Sequence, residues 1–74
     1  MDTDNLVRMA NRIGDFFDAM PDRGAALHGV ADHIRKFWEP RMRRQMLEHL
    51  DTGGAGLNDF VLEALRTHRD LVAS

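Results

Sequence analysis

Apolar residues recur every three or four positions along each uninterrupted segment of this chain, and a proline or a glycine run closes each of the first three segments. That spacing puts them on one face of an α-helix, and no segment alternates with the period of two that a half-buried strand shows. Leu6, Met9, Ala10, Ile13, Phe16, Phe17 and Met20 make the first stripe, on a helix predicted from about Thr3 to Ala19. Asp2, Thr3 and Asp4 all suit its N-terminus, as caps and as negative charge against the helix dipole. Pro21 ends it, because the residue before a proline avoids helical geometry.

Leu27, Val30, Ala31, Ile34, Phe37 and Trp38 make the second stripe, on a helix predicted from about Gly24 to Phe37 with Asp22 as its cap. Pro40 interrupts the pattern and suits the first position of a new helix, where its missing N–H costs nothing. That third helix should run to about Leu50, with Met42, Met46, Leu47 and Leu50 apolar. Thr52-Gly53-Gly54-Ala55-Gly56 is a flexible break. Asn58 then caps a last helix, with Leu57 and Leu62 placed as a hydrophobic staple. The last helix carries Phe60, Val61, Ala64, Leu65, His68, Leu71 and Val72 inward or nearly so.

The expected fold is therefore all-α: residues 1–74 as a single domain, a small compact bundle of about four short helices. Phe16, Phe17, Ile34, Phe37, Leu47, Leu50 and Leu65 are the expected core. A chain of 74 residues buries only a modest core, so its stability margin is thin and a partner often helps. The absence of any long apolar run predicts no transmembrane helix, and the acidic start does not read as a secretory signal. With no cysteine, disulfides, thiolate nucleophiles and cysteine-based metal sites are excluded, and a cytoplasmic setting fits best.

Little in the sequence reads as an active site. His28, His33, His49 and His68 show no metal-ligand spacing, and zinc needs three or four converging ligands. The glycine run is not followed by the Lys-Ser/Thr of a phosphate loop. The acid pairs Asp15/Asp18 and Glu48/Asp51 read as solvated faces, because a bundle this small has little room for a cleft that shifts a pKa. Met9, Met42 and Met46 read as core packing.

One stretch stands out. His33–Arg44, HIRKFWEPRMRR, packs five cations around the only Trp of the chain. Arg41, Arg43 and Arg44 also open the third helix, where positive charge opposes the dipole. The cluster has three readings: a solvated face, a nucleic-acid patch, or a protein interface. The formal net charge of −2 counts against a free-standing nucleic-acid binder, and no helix has the short polar residues that read base edges.

At these residues the chain resembles a known family. NLVRMANRIGDFF (Asn5–Phe17) and IRKFWEPRMRRQM (Ile34–Met46) are similar to the small delta subunit of NAD-dependent, molybdenum-containing formate dehydrogenases. The resemblance rests on an M-A-N-x-I-G-x-F-F block and an F-W-x-P-R-M-R block. It implies a non-catalytic accessory subunit of a complex that oxidises formate to carbon dioxide and reduces NAD. It implies no cofactor in this chain, with the molybdenum cofactor, iron–sulfur clusters and FMN in partner subunits. The role implied is assembly or stability of the holoenzyme, by docking on another subunit, the large one first.

On that reading Arg35, Trp38, Pro40, Arg41, Arg43 and Arg44 are the expected partner-binding residues. Trp and Arg are enriched at interface hot spots, and Pro40 would fix the angle between the helices on either side. No nucleic acid and no membrane are expected as partners. The alternative is a small helical nucleic-acid-binding or regulatory protein using the basic patch at residues 35–44. A self-associating bundle without a second partner is a further rival.

Overall fold

A computed structural model describes residues 2–74 and contains five helices among them: α1 (Thr3–Asp18), α2 (Arg23–Phe37), α3 (Pro40–Asp51), α4 (Asp59–Thr67) and α5 (Arg69–Ala73). Three helices begin on side-chain caps that the sequence supplies. Asp2 accepts from the Asp4 N–H at 3.2 Å, Asp22 from Ala25 at 3.2 Å, and Asn58 from Val61 at 2.8 Å. Each satisfies a donor that the helix start leaves free. α3 starts differently. Its cap Glu39 makes no side-chain capping hydrogen bond among the described residues, and Pro40 supplies the helical φ at the first position.

The last predicted helix is two. The chain breaks at His68, whose φ of −111° and ψ of 33° end α4 and begin α5. No glycine or proline marks the break. It turns α5 onto α2 and α3, and Val72 becomes fully buried.

The core also differs from the expected set. Ile34, Leu50 and Leu65 are buried, joined by Leu6, Val30, Met46 and Val61. Phe17 and Leu47 are only half-buried. Phe16 is 74% exposed and Phe37 71% exposed. The reason is the small residues on the helix faces that meet. Ala10, Ala26, Ala31 and Ala64 are all buried. The close helix contacts they allow leave room for two large rings, Phe60 and Trp38, but not for Phe16 or Phe37. Gly14 marks the tightest approach: a Cβ there would collide with the Val61 side chain of α4. One turn further along α1, the Phe17 ring packs against Gly29 of α2, where an added Cβ would meet it at 2.5 Å.

Between α3 and α4 the glycine break is a fixed turn. Gly54 has a φ of 66°, and a side chain there would also strike Leu62. Asn11 of α1 donates to the Gly56 carbonyl at 3.0 Å and accepts the Asn58 N–H at 3.0 Å, while His49 Nε2 meets the Ala55 carbonyl at 2.8 Å. Arg23 ties the start of α2 to α4, pairing with Glu63 at 2.6 Å and lying 5.4 Å over the Phe60 ring. The hydrogen bond and charge of Glu63 raise the Arg23 pKa above its usual value.

Candidate functional site

The basic stretch folds into the corner between α2 and α3. α2 stops at Phe37 because Trp38 turns extended, with a ψ of 139°, while still donating its N–H to Ile34. That turn reverses the two aromatic rings: Phe37 points out and Trp38 points in, 6% exposed within the core. Trp38 is thus a core residue, not a free contact for a partner. Arg43 is also occupied. Its guanidinium donates to the Val72 carbonyl and the Ser74 carbonyl, both at 3.1 Å, so it straps α5 to α3. Its Nε is buried and has no hydrogen-bond partner among the described residues.

Lys36 pairs with Asp32 one turn back at 3.0 Å. Arg35, Arg41 and Arg44 remain exposed and make no hydrogen bond or ion pair among the described residues. Pro40 is exposed on the rim of a cleft shared with Arg43, Arg44 and Val72. The six residues singled out from the sequence therefore divide. Trp38 and Arg43 hold the fold, Pro40 starts α3, and Arg35, Arg41 and Arg44 are free cations.

A different surface is built by the Phe residues that the core rejects. Phe16 and Phe17 meet edge to face, centroids 5.1 Å apart at 89°. Phe17 meets His33 at 6.3 Å, and His33 meets Phe37 at 4.7 Å. The four rings make one strip across α1 and α2. An open groove of about 350 Å³ lies on it, lined by Arg12, Ile13, Phe16, Phe17 and His33. Met20, in the turn that follows α1, is 39% exposed. Phe16, Phe37 and Met20 are the large apolar side chains left exposed among the described residues.

The sequence contained a signal for this strip. Adjacent residues of a helix point about 100° apart, so Phe16 and Phe17 together need a wide buried face. The N-terminal part of α1 has one, burying both Leu6 and Val7, but at Phe16 the ring is left 74% exposed. The apolar stripe of α1 was too wide for the bundle, and its outer edge is the groove.

The remaining candidates are used structurally. His28 and His68 pack edge to face at 5.3 Å, His33 belongs to the strip, and His49 binds the glycine turn. Among the described residues no group of three or more His, Asp or Glu could hold a metal ion. Asp51 pairs with Arg69 at 2.8 Å. Among the described residues no helix is long and apolar enough to cross a membrane.

Residues 5–65 match the model of the FdsD family, described as the NADH-dependent formate dehydrogenase delta subunit. The match takes in Asn11, Gly14, Phe16, Phe17, Gly29, His33, Phe37 and Trp38, hence the whole strip and its support. No curated protein and no solved structure matches the chain significantly.

Proposed function

The chain belongs to the family of NADH-dependent formate dehydrogenase delta subunits, and from that premise we propose that it is a non-catalytic accessory subunit that docks on another subunit of the complex. The large, molybdenum-containing subunit is the partner we would test first. The chain holds no cofactor of its own in this reading, and it supports assembly or stability of the holoenzyme in the cytoplasm. Its freedom from cysteine suits that compartment.

One observation carries the docking reading: Phe16 and Phe37 are exposed at 74% and 71% beside a half-buried Phe17. Burying one phenylalanine is worth about 1.5–3 kcal/mol. A small domain that leaves two such rings in water gives up a sizeable part of its own margin, and a partner that covers them recovers it. Aromatic side chains are also the type enriched at interface centres.

The test is affinity purification of the tagged chain from cells that express the complex. Formate dehydrogenase subunits in stoichiometric amount are the expected result. Recovery of this chain alone, from cells with active enzyme, would overturn the reading. The purified chain should neither oxidise formate nor reduce NAD by itself.

A further inference from the structure

We infer that the Phe16–Phe17–His33–Phe37 strip receives an amphipathic helix of another subunit, whose apolar face is bordered by Asp or Glu. The inference rests on the accessory-subunit reading and adds the surface used and the chemistry of what occupies it.

Shape comes first. The groove runs between two helices, with Ile13 and Phe16 on the α1 side and His33 on the α2 side. Its floor is the Phe17 ring on Gly29. A channel between helical ridges accepts the ridge of a third helix. Among the described residues there is no strand whose edge an extended peptide could join.

Charge selects the partner. Arg12 lines the groove, is exposed, and makes no hydrogen bond or ion pair among the described residues. On α2, Lys36 lies one turn from His33 and next to Phe37. Its pair with Asp32 is an exposed contact within one helix, and such pairs are weak enough to exchange. Of the acids of α1, Asp18 is turned ~160° away from Phe16, and Asp15 ~100° from Phe16 but only ~60° from Arg12, one turn away. Arg12 forms no ion pair with Asp15 among the described residues. The apolar strip is thus bordered by a cation on each helix, and the complementary occupant presents carboxylates on either side of its apolar residues.

The same border argues against a second copy of this chain. A two-fold interface sets one surface against itself. Here that would bring Arg12 and Lys36 of one copy against the same cations of the other.

Cross-linking of the purified complex tests the inference. A photo-reactive phenylalanine analogue is placed at position 16, at position 37, or, as control, at exposed position 66 on α4. Adducts from 16 and 37 to a segment of another subunit carrying Asp or Glu are expected. Adducts to a second copy, to a Lys/Arg-rich segment, or from position 66 alone would overturn it. Charge is tested in parallel. Arg12→Glu with Lys36→Glu should weaken association about tenfold or more, as reversal at an interface does, while Arg12→Lys retains binding. Unchanged association of the folded double variant would overturn the charge pairing. If the wild-type chain is missing from the complex altogether, the accessory-subunit reading falls and takes the inference with it. If the chain is present and only position 66 cross-links, the groove inference alone falls.

Discussion

Asn11 and Asn58, 47 positions apart in sequence, are joined by one hydrogen bond from the Asn58 N–H to Asn11 Oδ1 at 3.0 Å. The same Asn58 caps α4 with its own side chain at 2.8 Å, and the other end of the Asn11 amide holds the Gly56 carbonyl. A single amide on α1 therefore fixes the entry of the chain into α4. It does so one turn before Gly14, where α4 comes closest.

Asn11→Ala should destabilise the fold by about 1–3 kcal/mol, since it strips a backbone donor and a backbone acceptor of their partner. Asn11 is half-buried and Gly56 exposed, so the lower half of that range is expected. Asn11→Asp keeps the acceptor for Asn58 and loses the donor to Gly56, and should cost less than Ala. Chemical denaturation followed by circular dichroism measures both. Equal stability of Asn11→Ala and wild type would show that the loop holds itself.

Gly14 and Gly24 should respond in opposite directions to alanine. Alanine ordinarily gains up to about 1 kcal/mol over glycine inside a helix. At Gly24 the new Cβ meets only Asp22 Oδ1 at 3.4 Å, so that gain should survive in part. At Gly14 the Cβ collides with Val61, and overpacking of about 1–3 kcal/mol outweighs the gain. Val61→Ala removes the colliding methyl, so Gly14→Ala should become neutral or favourable in that background. A double-mutant cycle on melting curves reads the coupling.

These two sites show what was legible in the sequence and what was not. Asp2, Asp22 and Asn58 could be read as caps because capping is a local contest between one side chain and a nearby N–H. The Pro40 start and the glycine turn are local in the same way. Which aromatic faces inward at the α2–α3 corner is not local. Periodicity carried Phe37 and Trp38 onto one stripe, but the stripe holds only while the helix continues. Trp38 leaves it, and the ring order reverses. The break at His68 was also hidden, since packing of Val72 against α2 and α3, not a glycine or proline, produces it. Phe16 was misplaced for a third reason. The width of an apolar stripe says how much surface avoids water, not whether the same chain covers it.

Trp38 is the only tryptophan of the chain and 6% exposed, so the fluorescence of the folded protein should peak in the blue range of an apolar site. It should move to the red on unfolding, in step with the loss of helical dichroism. Trp38→Ala should cost about 3–5 kcal/mol from lost burial and the cavity left behind. Against a total of roughly 4–11 kcal/mol for a chain of this length, much of the free protein should then be unfolded. A red emission maximum in the native protein would contradict the burial of the ring.

The arginines of α3 should separate by role. Arg43→Glu removes two charge-assisted hydrogen bonds to the Val72 and Ser74 carbonyls and puts a carboxylate where carbonyl oxygens already converge. The strap between α3 and α5 should open, at a cost of about 1.5–3 kcal/mol or more. Arg43→Lys should recover much of it, because both bonds leave a single nitrogen, Nη1, that an ammonium with three donors can replace. Arg41→Glu is expected to do the reverse. Arg41 is exposed and free among the described residues, it stands in the first turn of a helix with no acid there and no side-chain cap, and a negative charge at that place favours the helix by about 0.3–1 kcal/mol. Denaturation midpoints therefore order as Arg41→Glu at or above wild type and Arg43→Glu well below it. Co-purification then becomes informative for Arg41→Glu, which stays folded, and for Arg44→Glu beside it. Retained association in both, with loss in Phe16→Ser, would assign docking to the aromatic groove and leave the free arginines as solvated surface. Loss of association in the folded Arg41→Glu variant would extend the interface from the groove around the corner onto α3.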